Sequence, residues 1–281
     1  ELNVIYGSQN RSRADRNRIL IKPVFAYRGV ILDRQGEALT RNIPIERLLD
    51  FQGDDSDPVA IEGVGRIYPF GAALAHVVGY MGEVSPEEVK YLSLQPGDMI
   101  GKTGLEKYYD STLRGQDGAQ LIEVDANGKT IRVAGEESPI SGKDLKTSLD
   151  VNLQKIITEK LAHRKGAALA IDPTDGSILA LVSSPAFDPN LFQSRGDSFQ
   201  SNKLREILND TQNLPLFNRA VSGAYPPGSI FKLVTAAAGL SEKKIDVNTT
   251  IDDTGEIKIG DFRYGNWYFD QYGRTEGSLD I

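Results

Sequence analysis

The sequence predicts an α+β protein in two parts: a strand-rich region over residues 1–147, then a region over residues 148–281 that sets helices against an antiparallel sheet. Three observations lead there. Composition changes at Thr147-Ser148-Leu149-Asp150, and an amphipathic helix pattern begins directly after it. Two nearly continuous apolar runs follow, joined by Pro173-Thr174-Asp175-Gly176. Finally, Tyr225-Pro226-Pro227-Gly228 forbids a helix up to residue 228, after which residues 230–240 are apolar and helix-compatible.

Taken in order, residues 1–28 hold Arg11, Arg13, Arg16, Arg18, Lys22 and Arg28 against Glu1 and Asp15. This local basic excess reads as a solvated helix or as a segment lying near an anionic membrane surface. Arg28 to Leu39 reads as a strand, a turn at Gln35-Gly36 and a second strand. Residues 52–58 are acidic and turn-rich, a loop or the remnant of something shortened. His76-Val77-Val78-Gly79-Tyr80-Met81-Gly82 reads as a short apolar strand. Ser85-Pro86-Glu87-Glu88 carries the cap, first-turn proline and acids of a helix start. Residues 101–114 suggest a helix stopped by Gly115, and residues 120–133 a hairpin turning at Asp125-Ala126-Asn127-Gly128.

Beyond the boundary, Leu153, Ile156, Ile157 and Leu161 recur at helical spacing behind Asp150, predicting a helix to about Arg164. Residues 166–172 and 177–183 are expected to be buried antiparallel strands. A long irregular crossing then leads to a helix expected to start near Ser229 and to be buried.

Composition narrows the function classes. The net charge of −7 disfavours nucleic acid as a partner, since phosphate contacts need a basic surface. There is no cysteine, which removes disulfides and thiolate metal sites and is compatible with an exported protein. The two histidines, His76 and His163, are far apart, so neither a His-based metal site nor a Ser-His-Asp triad has support. No run of eighteen apolar residues occurs, so no membrane span is predicted. The chain starts at Glu1 without a methionine, and an anchor or signal is expected to have preceded it.

The chemistry is stated at Ser229-Ile230-Phe231-Lys232. Helical spacing brings the Cβ atoms of residues three apart to within about 5–6 Å. A serine hydroxyl becomes a useful nucleophile when a neighbouring base takes its proton. A lysine can serve once burial or a cationic neighbour lowers its pKa from about 10.4. The apolar residues flanking Lys232 are expected to supply that burial. Taken alone, the same pattern describes an N-cap serine followed by a surface lysine. Three other motifs mislead. Gly97-Asp98-Met99-Ile100-Gly101-Lys102-Thr103 has one residue too few between its glycines for a phosphate loop. Lys102-Thr103-Gly104 and Ser8-Gln9-Asn10 lie in the strand-rich half, before the serine.

Seven blocks in order resemble class B penicillin-binding proteins of the elongation type, the penicillin-binding protein 2 family. They are Arg28-Gly29-Val30-Ile31-Leu32-Asp33-Arg34, Gly101-Lys102-Thr103-Gly104-Leu105-Glu106, Leu113-Arg114-Gly115 and Glu123-Val124-Asp125-Ala126 in the first half. Phe187-Asp188-Pro189-Asn190-Leu191-Phe192, Pro215-Leu216-Phe217-Asn218-Arg219-Ala220 and the Tyr225 to Lys232 stretch follow. The resemblance implies an elongated N-terminal pedestal of the dimerisation type and a penicillin-binding, β-lactamase-like transpeptidase domain, the latter incomplete in this chain.

It also implies a peptidoglycan D,D-transpeptidase acting in side-wall growth. Ser229 would be acylated by the D-Ala-D-Ala end of a stem peptide, Lys232 would be the general base, and β-lactams would trap the serine. The implied partners are stem peptides, β-lactams, a membrane glycan polymerase and an elongation scaffold. No cofactor or metal is implied. The implied location is the outer face of the cytoplasmic membrane.

Two departures stand out. The chain is short between Arg41 and Arg66, where such proteins carry a larger head. It also stops at Ile281, before the expected S-x-N and K-T-G elements. The competing readings are a non-catalytic domain that docks and activates a glycan polymerase, and a β-lactamase or β-lactam sensor using the same Ser-Lys pair.

Overall fold

The computed structural model describes residues 19–49, 59–92, 94–124, 130–193 and 198–279. Ser8-Gln9-Asn10, most of the basic N-terminal segment, the acidic loop and the Asp125-Gly128 turn lie outside the described residues. The chain folds as two compact units, Glu1–Gly223 and Ala224–Ile281.

The first unit begins with β1 (Ile19–Val24), β2 (Ile31–Leu32), β3 (Arg41–Leu49) and β4 (Val59–Ile67). Next come α1 (Ala75–Val78), β5 (Met81–Glu83), α2 (Pro86–Leu92), β6 (Met99–Gly101), α3 (Gly104–Tyr108) and α4 (Asp110–Leu113). The strands β7 (Gly118–Val124), β8 (Thr130–Glu137) and β9 (Leu145–Lys146) complete its N-terminal part. The unit ends with α5 (Val151–Leu161), β10 (Gly166–Ile171), β11 (Ile178–Ser184), α6 (Ser198–Asn209) and α7 (Arg219–Ser222). β1, β7 and β8 form one antiparallel sheet, β3 and β4, nine residues each, pair antiparallel as a long hairpin, and β2 pairs in parallel with β9.

Several sequence signals act locally as expected. Ser85 and Glu88 form a capping box: Glu88 Oε2 accepts from Ser85 N at 2.7 Å, and Ser85 Oγ accepts from Glu88 N at 3.2 Å. Asp150 Oδ1 caps α5 by accepting from Asn152 N and Leu153 N, and the Leu153 N–H holds its carboxyl below the usual range. Residues 101–114 are helical in two pieces, α3 and α4, and stop before Gly115.

His76 to Gly82 corrects the sequence reading. Residues 75–78 are a helical turn, and the strand starts at Met81. A short apolar run does not distinguish strand from buried helix. Gly79 decides it, because φ is +84° there and a Cβ would sit 1.9 Å from the Thr103 carbonyl oxygen. The β3–β4 hairpin and α6 were not anticipated.

A buried ion triad joins these elements. Glu106 on α3 is fully enclosed; its Oε2 accepts from Arg28 Nε at 2.7 Å and its Oε1 from Arg66 Nε at 2.8 Å. Arg28 Nη2 also reaches Asp110 Oδ1, and Arg66 Nη2 donates to the Gly29 carbonyl. Arg66 lies on β4, so the triad fastens the base of the long hairpin to α3. At the other end of the Arg28 block, Asp33 Oδ1 accepts from Gln35 N and Glu37 N, and Oδ2 accepts from Val151 N at the start of α5.

The core therefore crosses the composition boundary. Ile31, Leu39, Tyr68, Leu74, Val78 and Leu113 pack with Leu149 and Val151. Gln154 on α5 reinforces this: its Nε2 donates to the Ala73 and Leu181 carbonyls, and its Oε1 accepts from Leu181 N. Gln154 thus satisfies the outer edge of β11 as a neighbouring strand would. β10 and β11 pair antiparallel as expected, but burial is confined to β11; Leu169 and Ile171 of β10 are half exposed.

Glu106→Gln should destabilise the protein by about 3–5 kcal/mol, because it strips buried Arg66 of its anion and leaves Arg28 with Asp110 alone. Urea unfolding followed by circular dichroism measures the loss.

Candidate active site

The second unit carries the candidate nucleophile. A 3-10 turn over Gly228–Ile230 runs directly into α8 (Phe231–Ser241). β12 (Ile251–Asp253) pairs with β15 (Gly277–Leu279), β13 (Glu256–Ile259) pairs with β14 (Phe262–Gly265), and α9 (Trp267–Tyr272) lies between β14 and β15 in sequence. Asp253 knits the far end, accepting from Gly255 N, Glu276 N and Asn266 Nδ2; these N–H donors, Glu276's first, hold its carboxyl below the usual range.

Pro226 and Pro227 deliver the chain in a non-helical path, and Gly228 turns it. Gly228 has φ +56°, the left-handed region that a side chain disfavours, with open space where a Cβ would point. The Phe231 N–H then bonds back to the Gly228 carbonyl, so helical geometry starts with Ser229 inside the first tight turn. Lys232 is the second residue of α8. The structure thus places Ser229 and Lys232 three residues apart on one continuous helical path, with the free N–H groups of a helix start beside the serine.

The burial expected for this helix is not found. No residue of α8 is buried, and Ser229, Lys232, Ile230, Phe231, Leu233 and Val234 are all exposed. The two short strand pairs and α9 leave its apolar residues uncovered. The two overlapping misleading motifs at residues 97–104 find structural uses. Lys102 pairs with Glu88, and Thr103 precedes α3. Among the described residues, no cluster of His, Cys, Asp or Glu could hold a metal ion.

With this geometry, comparison with known proteins is decisive. Residues 59–147 match the penicillin-binding protein dimerisation domain, and residues 166–281 match the penicillin-binding protein transpeptidase domain. This chain belongs to the penicillin-binding proteins. A relative in Acinetobacter baumannii, the peptidoglycan D,D-transpeptidase MrdA, is 33% identical over 95% of this chain and 48% of its own length.

Among solved structures, a peptidoglycan synthase complex chain superposes with a TM-score of 0.76 at 28% identity, covering 99% of this chain and 57% of that one. Pseudomonas aeruginosa PBP2, solved with WCK 5153, gives a TM-score of 0.69 at 32% identity over 93% of this chain and 50% of that one. The chain thus spans about half the length of the relatives it matches. As a penicillin-binding protein of the MrdA type, it carries a dimerisation-type region followed by a transpeptidase-type region.

Gly228→Ala should cost about 1–2 kcal/mol, the penalty for a side chain in left-handed backbone. Gly228→Asn should cost less, because asparagine tolerates that region. Denaturant midpoints of the two variants test the order.

Proposed function

We propose that the whole protein is a serine D,D-transpeptidase that cross-links peptidoglycan stem peptides during cell-wall elongation. The observation that carries this reading is Ser229-x-x-Lys232 at a glycine-turned helix start within the segment that matches the transpeptidase domain. Residues 1–147 are the pedestal and residues 148–281 the N-terminal part of the transpeptidase domain.

In this mechanism Lys232 Nζ accepts the Ser229 hydroxyl proton as Oγ attacks the carbonyl carbon of the penultimate D-Ala. The carbonyl oxygen becomes an oxyanion, favoured by the Ser229 N–H and the positive end of the helix dipole. The C–N bond then breaks, the terminal D-Ala leaves as the protonated amine, and an ester joins the stem peptide to Ser229. The amine of a second stem peptide attacks that ester, forms the cross-link and frees the serine. A β-lactam stops at the ester, because its leaving nitrogen stays tethered in the opened ring.

The partners that fit are D-Ala-D-Ala stem peptides, β-lactams, a membrane glycan polymerase and an elongation scaffold. The polymerase is supported by the likeness to a peptidoglycan synthase complex described as coordinating polymerization and crosslinking. The site works on the outer face of the cytoplasmic membrane. No helix among the described residues is long and apolar enough to cross a membrane.

Full-length protein incubated with a fluorescent penicillin should form a covalent adduct that Ser229→Ala abolishes. Label surviving that substitution would reject Ser229 as the nucleophile, and turnover of the label within seconds would favour a β-lactamase. Lys232→Ala should lower the acylation rate by at least about 100-fold while leaving the circular dichroism spectrum intact. An unchanged rate would assign the base elsewhere.

A further inference from the structure

Within the first unit, one stretch of backbone is gripped repeatedly by side chains from residues 150–223. Asn190 reads both polar groups of Tyr68: its Oδ1 accepts from Tyr68 N at 2.9 Å, and its Nδ2 donates to the Tyr68 carbonyl at 3.0 Å. Gln154 holds the Ala73 carbonyl, Asn218 Nδ2 donates to the His76 carbonyl, and Gln193 Nε2 donates to the Met81 carbonyl. Tyr80 stacks on Phe192 with ring centroids 3.8 Å apart. Residues 68–81 and residues 154–218 therefore meet along a seam built mostly of neutral amides and rings. His76 is the titratable exception on α1.

The imidazole sits at the middle of that seam. Its Nε2 lies 3.5 Å from the Pro185 carbonyl oxygen, and its ring meets Phe187 edge-on at 5.3 Å. Beside it is a cavity of about 390 Å³ lined by Tyr80, Thr103, Leu105, Phe187, Leu216 and Asn218, among others, with no carboxylate in the wall. Charges on the packed elements offer no counterion either. On α3, Glu106 is engaged by Arg28 and Arg66, and Lys107 is exposed. β11 carries no ionisable group, and Asp188 is turned to the N–H groups of Asn190. From α7 comes a like charge: Arg219, buried and fastened to the carbonyls of Asn213, Leu214 and Phe217, repels a proton on the ring. Tyr80 and Tyr108 are the other titratable groups of the wall.

We propose that His76 is a pH-sensitive latch on this seam: neutral, it closes α1 against the Pro185–Asn218 surface, and protonated, it loosens that contact. The inference stands independently of the transpeptidase reading. A proton on the half-buried ring would find the Pro185 and Pro215 carbonyls to accept from it, but no anion, and a guanidinium nearby. Burial, more than the arginine, holds the imidazole below its ordinary value. The sign follows from linkage. An opened seam binds the proton more readily than a closed one, so the closed form is fully favoured above the ordinary imidazole pKa of about 6.5 and loses ground as pH falls below it.

Two measurements on the full chain with 13C-labelled histidines test the latch. His163, exposed and the other histidine of the sequence, is the internal reference. Titrated between about pH 8 and pH 5, the His76 resonance should move with a midpoint below the ordinary imidazole value of about 6.5. Hydrogen-exchange protection, corrected for intrinsic rates, should fall severalfold over the same range in residues 74–81 and 213–219. His76→Phe should abolish that fall while keeping protection at neutral pH. A His76 midpoint at or above about 6.5, or a loss of protection that persists in His76→Phe, would overturn the proposal. Should the Phe variant fail to fold by circular dichroism, His76→Gln and the wild-type titration decide it.

Discussion

The enclosure of Glu106 between Arg28 and Arg66 is the constraint on which the first unit depends. Three ionised groups taken out of water carry a desolvation penalty that ordinary surface pairs avoid, so the arrangement is not a source of cheap stability. What it supplies is geometry. Each carboxylate oxygen takes one guanidinium; Arg28 Nη2 also reaches Asp110 and the Glu106 carbonyl, and Arg66 donates to Gly29 and Asn42. Three segments distant in sequence are thereby held together: the Arg28 stretch before β2, the end of β4, and the consecutive helices α3 and α4.

From that point the fold extends by one repeated device, a polar side chain that reads backbone. Asp33 carries the Arg28 block to the first turn of α5, and Asn190, Gln154, Gln193 and Asn218 carry residues 150–223 onto residues 68–81. Arg219 does the same inward, ordering the 213–217 turn through three carbonyls. Most of the sequence blocks that mark the family are these residues. Their shared task in the folded chain is to fasten the dimerisation-type region to the start of the transpeptidase-type region.

That last block is built on different terms. Its helix is apolar and exposed, shaped by prolines and a left-handed glycine and not by packing. Local covalent preference is enough to set Ser229 and Lys232 on one helical turn. Reaction would ask more, since an acylation site needs a base tuned by its surroundings and donors aimed at an oxyanion.

Sequence by itself determined what depends on neighbours along the chain. The capping box at Ser85, the Asp150 cap, the β10–β11 hairpin, the stop at Gly115 and the Ser-x-x-Lys spacing were all legible, because each is set by residues a few positions apart. Tertiary structure decided the rest. Residues 75–78 became a helix because Gly79 lies against Thr103, a contact no periodicity reveals. The compact unit runs past residue 147 to Gly223 because Leu149, Val151 and Gln154 belong to a core shared with residues 31–113. In the sequence Glu106 stood only as the end of the Gly101–Glu106 block, and His76 as a histidine without a ligand partner. Both acquired their character from residues dozens of positions away, and burial and electrostatic partnership are properties of the assembled chain.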